Sequence, residues 1–197
     1  MSLKTKVHIS TNNLTDARYC AGMGVEFIEF IVDPTHKDAL AKETYLGISQ
    51  WIEGVEFVGY FSSTKNLLQT CQDLNITTIA SHNIEVLRSV DQTYKKILKV
   101  TIDSLNQSDL TKLNSIQDSF DYLYLESNTI NQLSSFNFLT AINHQVILGF
   151  GFDEQSVHQA IEEGKITALG LKGGHEERPG FKDMDELADI LEAIEID

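Results

Sequence analysis

The residues whose types and order point most directly to chemistry lie in the segment 168–183, ALGLKGGHEERPGFKD. An apolar run stops at a glycine pair, Gly173 and Gly174, and a charged loop then leads through Pro179 and Gly180 to an acidic helix start. Glycine has no Cβ to hold an anion away from the main chain. N–H groups that converge at the end of a strand can therefore bind a phosphate without a dedicated cation. The same dipeptide would also serve a tight turn ahead of a helix, so its meaning depends on what the chain places beside it.

Other chemistries are narrowed by composition. Cys20 and Cys71 fall in amphipathic patterns without CxxC or metal-ligand spacing, which reads as two buried, reduced thiols. A formal net charge of -14 disfavours nucleic acid and anionic membranes as partners, so an anionic ligand must be held locally. The acids are scattered, as solvated helix faces require. No apolar run is long enough to cross a bilayer and the N-terminus has no secretory pattern, so the expected location is cytoplasmic.

The elements that must position the glycines follow a regular beat. Strand signals occur at 6–10, 25–32, 55–61, 76–80, 96–102, 120–126, 145–151 and 166–171, each followed by a helical pattern. Asn12 and Asn13 supply the cap of the first helix, Ser62 and Ser63 that of the third, Asn83 that of the fourth, and Ser104 or Asn106 that of the fifth. A helix is expected around 130–142 and the last over 183–194. The strands are apolar on both parities, as in a parallel sheet sheathed by helices on both sides. Eight βα units close most economically as a barrel, so the expected fold is a single α/β domain over 1–197, a (β/α)8 TIM barrel. A doubly wound open sheet is the alternative, but its first βα turn would more often carry a glycine fingerprint, which STNN lacks.

In such a barrel function sits at the carboxyl ends of the strands, and phosphate favours the loops after strands seven and eight. Those loops hold Gly149 and Gly151 and then Gly173 and Gly174, so the glycine-bearing turns are the expected ones. His8, His82, Glu126 and His175 also fall at strand ends and could meet as metal ligands, but none of them has helical ligand spacing. The expectation is no metal, and no cofactor is called for.

Several segments resemble the phosphoribosylanthranilate isomerase family of tryptophan biosynthesis. HISTNNLTDARYCAGMGVEFIEFIV is similar to that family's KICGITNLEDA segment with its AGAD turn, and TIASHNIE to its VQLHGDE, with His82 at the family's His. LGFGFDEQSV resembles LAGGLNPENV, and ALGLKGGHEERPGFKD lies without a gap on GVDVSSGVEAAPGIKD. The resemblance spans nearly the whole chain. It implies a phosphate site at Gly151, Gly173 and Gly174, with His82 beside it. The implied reaction is an Amadori rearrangement of an N-(5-phosphoribosyl) amine, an intramolecular aldose to ketose isomerisation. In the family an Asp at the end of strand six is the acid and the Cys of KICG the base. Glu126 matches the acid.

The Cys is absent. Without a gap its place falls on Ile9; with one residue deleted from the following loop it falls on Ser10. Strand alternation favours Ser10, because His8 and Ser10 share one face and Val7 and Ile9 the other. Ser10 or His8 is therefore the expected base. SPRY becomes DPTH, with Thr35 and His36; GGSGKTFDW is missing after strand six; the Asp of DVSSG is Gly170 and its first Ser is Lys172, which suits a phosphate as a point charge. The alternative function is a non-catalytic or repurposed phosphosugar-binding barrel. Either way the partner is a small phosphorylated sugar or phosphoribosyl amine, with monomer and homodimer both open.

Overall fold

The computed structural model describes residues 2–102, 107–127, 139, 141–163, 166–173, 176–178, 181–182 and 185–196, with backbone alone at 107–110, 176–178, 181–182 and 185–186. Eight parallel strands close on themselves in chain order: β1 (Lys6–Ser10), β2 (Phe27–Ile31), β3 (Glu56–Tyr60), β4 (Thr78–Ser81), β5 (Lys95–Thr101), β6 (Tyr122–Glu126), β7 (Gln145–Gly149) and β8 (Ala168–Lys172). β8 pairs with β1 from Lys6 opposite Ala168 to Ser10 opposite Lys172, which excludes the open sheet. Around the barrel lie α1 (Leu14–Gly22), α2 (Lys42–Ser49), α3 (Leu67–Leu74), α4 (Ile84–Arg88), α5 (Gln107–Ser115), α6 (Glu154–Glu163) and α7 (Asp185–Ala193). Among the described residues no helix is long and apolar enough to cross a membrane.

Alternation along each strand sorts side chains into two cores. Val7, Ile9, Ile28, Phe30, Leu123, Leu125, Leu148 and Leu169 face outward into the layer beneath the helices. Phe27, Val58, Ala80, Ile97, Tyr122, Tyr124, Ile147 and Ala168 fill the barrel itself. A strand buried on both sides has no polar parity to reveal, which is why these runs read as nearly continuous apolar sequence. At the amino-terminal end the barrel is closed by charge: Lys95 Nζ lies 2.5 Å from Glu56, Thr78 Oγ1 donates to the same carboxylate, and Lys6 pairs with Glu26 at 2.9 Å.

Local signals hold at two helix starts. Asn13 accepts from the Asp16 N–H at α1, and Asn83 accepts from the Glu85 N–H at α4. The third start differs from expectation. Ser62 and Ser63 do not cap α3, which begins after Asn66 in the left-handed region at φ 58; both serines donate to Asp33 instead. The charged loop expected after β8 is also corrected, because β9 (Glu176–Arg178) and β10 (Phe181–Lys182) form a small antiparallel hairpin there. The expected cap at Ser104 or Asn106 lies outside the described residues, as does most of the helix expected over 130–142.

Candidate active site

Where the carboxyl ends of the strands meet, a cavity of about 430 Å³ opens, and Ser10, Glu29, Tyr60, His82, Lys99 and Lys172 stand in its wall. Strand parity places them there. Ser10 shares β1's inward face with His8, while Ile9 between them is fully buried on the outward side. Ser10, and not Ile9, therefore occupies the mouth, and its Oγ donates to Glu29 Oε1 at 2.8 Å.

Glu29 is the centre of a buried charge cluster. Lys99 Nζ donates to Glu29 Oε1 at 2.7 Å, and His8 Nε2 lies 3.4 Å from Glu29 Oε2. Glu29 is 4 % exposed and Lys99 7 %, so each is sustained by the other: burial alone would push the carboxyl pKa up, but the Lys99 ammonium and the His8 ring drive it far below the usual carboxylate range. The ammonium also sits over the Tyr124 ring at 4.5 Å and near the Tyr60 ring at 5.7 Å. Glu29 and Lys99 lie in segments read as apolar strands. The available signal was a charge within a run buried on both faces, which demands a partner of opposite sign.

A second set spans the opposite side of the mouth. His82 Nε2 lies 2.7 Å from Glu126 Oε1, and its Nδ1 lies 3.0 Å from Tyr60 Oη. The His82 hydrogen bond lowers the Glu126 pKa more than burial raises it, with Lys99, His82 and Lys172 adding to the effect. Glu126 is thus a carboxylate bonded to an imidazole, its pKa displaced opposite to the direction that would favour a stand-alone acid. His82 lines the cavity; Glu126 meets it through His82.

Two further expectations are revised by geometry. His8 does not reach the mouth: it is fully enclosed beneath Glu29, with Tyr124 edge-on at 5.1 Å and Phe27 at 6.1 Å. Gly173 does line the cavity, yet its N–H donates to the Ser10 carbonyl at 2.8 Å, extending the β8 to β1 ladder. That amide is not a bare donor for an anion. Gly151 follows the neighbouring strand β7, is exposed, and its N–H has no acceptor among the described residues. Gly174 and His175 lie outside the described residues. Among the described residues no three metal-ligating side chains converge; His8 faces Glu29 while His82 faces Glu126.

The loops above are tied together by Asp33, just after β2. Its carboxylate accepts from the Ser62 N–H (2.9 Å) and Oγ (2.6 Å), and from the Thr35 N–H (2.8 Å) and Oγ1 (2.7 Å). Burial opposes ionisation, but these donors outweigh it and hold the pKa down to about 2. The β2 to α2 and β3 to α3 loops are thereby held in register, and His36, which lines the cavity, packs edge-on to Tyr60 at 6.0 Å.

No protein-family model matches the chain. Among curated proteins it is 24% identical to the N-(5'-phosphoribosyl)anthranilate isomerase of Zymomonas mobilis subsp. mobilis, over an alignment of 214 residues covering all of both chains. Among solved structures it superposes on the phosphoribosyl anthranilate isomerase of Thermotoga maritima with TM-score 0.77 and 20% identity, over 96% of this chain and 98% of that one. An isomerase structure in complex with reduced 1-(o-carboxyphenylamino)-1-deoxyribulose 5-phosphate gives TM-score 0.76 at 20% identity with the same coverage. The chain is thus similar along its whole length to phosphoribosylanthranilate isomerases and shares their fold.

Proposed function

Taking the chain as a divergent relative of the phosphoribosylanthranilate isomerases, we propose that it isomerises an N-(5-phosphoribosyl) amine from the aminoaldose to the 1-amino-ketose. The reaction is internally balanced in redox terms and calls for no cofactor. A proton goes to the ring oxygen as the furanose opens to an iminium, the C2 proton leaves, C1 gains a proton and the C2 hydroxyl loses one as the ketone forms.

The observation that supports this reading is His82 in the wall of the carboxyl-end cavity, hydrogen-bonded to Glu126. An imidazole that reaches the cavity and is held by a carboxylate can pass on a proton, whereas a lone ionised carboxylate has none to give. Glu126 thus keeps the acid role together with His82. Lys172 and the Gly151 N–H supply cation and donor to the 5-phosphate, with Gly173 furnishing a wall free of side chain.

A purified-protein assay with N-(5-phosphoribosyl) amines, anthranilate among them, tests the reading by chromatographic detection of the amino-ketose. Turnover that falls roughly 10²-fold or more in Glu126→Gln supports it. The phosphosugar-binding alternative has one observation in its favour: Ser10, at the place of the missing Cys, spends its proton on Glu29. Binding of the substrate without turnover would establish that alternative.

A further inference from the structure

Resting on the isomerase reading, we propose that Glu29 is the base that removes the C2 proton, a role that passes to β2 in this chain because β1 offers only a serine. The argument begins with position. Ser10 Oγ lies 2.8 Å from Glu29 Oε1, so the carboxylate stands beside the side chain that occupies the thiol's place, and both line the cavity. A serine hydroxyl without a basic partner takes no proton from carbon, and Ser10 is the donor in this contact. His8, the other candidate on β1, is sealed beneath.

The two oxygens of the carboxylate have different surroundings. Oε1 meets Ser10 and Lys99, which line the cavity, whereas Oε2 is buried and faces His8 Nε2 at 3.4 Å. Lys99 lies against the cavity, where its ammonium can face the enaminol's oxygen as negative charge develops there.

The step balances as follows. Glu29 takes the proton from C2 of the iminium; the C2–H electron pair becomes the C1=C2 bond, and the C=N π pair moves to nitrogen. Glu29 then returns the proton to C1 as the C2 hydroxyl gives its proton to the Glu126 and His82 pair, which had protonated the ring oxygen. Both groups end as they began.

The test compares Glu29→Gln, Glu29→Asp and the double variant Glu29→Gln with Ser10→Cys, using substrate carrying deuterium at C2. Glu29→Gln is expected to lower kcat roughly 10²- to 10⁴-fold with inhibition by ribose 5-phosphate unchanged within about threefold. Glu29→Asp, which keeps a negative charge beside Lys99, is expected to lose at least about tenfold with a larger isotope effect, and the added thiol to restore at least about tenfold to Glu29→Gln. Folded Glu29→Asp or Glu29→Gln protein with kcat within threefold of the parent overturns the base assignment alone. A parent protein that turns over no N-phosphoribosyl amine overturns the isomerase reading, and this proposal with it.

Discussion

The Tyr124 ring occupies the space that a side chain on Gly170 would need: a Cβ built on Gly170 would lie 2.4 Å from Tyr124 Oη. The same ring would meet a Cβ on Gly149 at 2.3 Å, and Tyr124 itself is 1 % exposed. An aromatic residue on β6 has thus taken the room that β7 and β8 leave by carrying glycine, and Lys99 rests on its face. This accounts for glycine at 170, where the resembling family has Asp. Gly170→Ala is expected to destabilise by about 1–3 kcal/mol through overpacking. In a Tyr124→Leu background the same change should cost measurably less, and a double-mutant cycle by urea denaturation reads the difference.

Asp33 makes stability depend on pH. Its folded pKa, about 2, lies below that of an unfolded aspartate, so the contribution is complete above about pH 4 and is lost as pH falls through the folded value. The side chain is fully buried, and the expected loss is on the order of 2 kcal/mol. Asp33→Asn should abolish that part of the acid sensitivity, so the gap in unfolding free energy between the two proteins should narrow from pH 7 to pH 3.

The bond between His82 and Glu126 predicts a titration. His82 is the largest cause of the lowered Glu126 pKa, so His82→Ala should move the Glu126 carboxyl to a higher value. Carbon-13 NMR of labelled glutamate reads this directly. The same variant should lose roughly 10²-fold in isomerisation if His82 delivers the proton.

Gly151 separates ligand binding from folding. A Cβ at this position meets nothing within 4 Å, so Gly151→Ala should change stability by no more than about 0.5 kcal/mol. If its amide approaches a phosphate, calorimetry should nevertheless show weaker binding of ribose 5-phosphate, by about threefold or more. Gly173→Ala is no equivalent test, because its Cβ would lie 2.6 Å from Asp16 Oδ2 and disturb the fold itself.

The βα rhythm, the closure into eight strands and the place of Ser10 on the inward face follow from periods of two and 3.6 residues, which are properties of local backbone and can be read along the chain. Asn13 and Asn83 as caps belong to the same class, since a cap and its N–H are neighbours in sequence. Ser62 and Ser63 misled because a carboxylate 29 and 30 residues earlier outcompeted the helix for their hydroxyls. The pairing of Glu29 with Lys99 joins residues 70 apart, and which charges meet in the barrel depends on strand register and shear, which no local pattern encodes. The exchange of Tyr124 for side chains on β7 and β8 is likewise a volume balance across three strands, settled only when the sheet closes. Sequence alone therefore determined the barrel and the rim where chemistry belongs; tertiary packing decided which carboxylates face the cavity and what holds each of them charged.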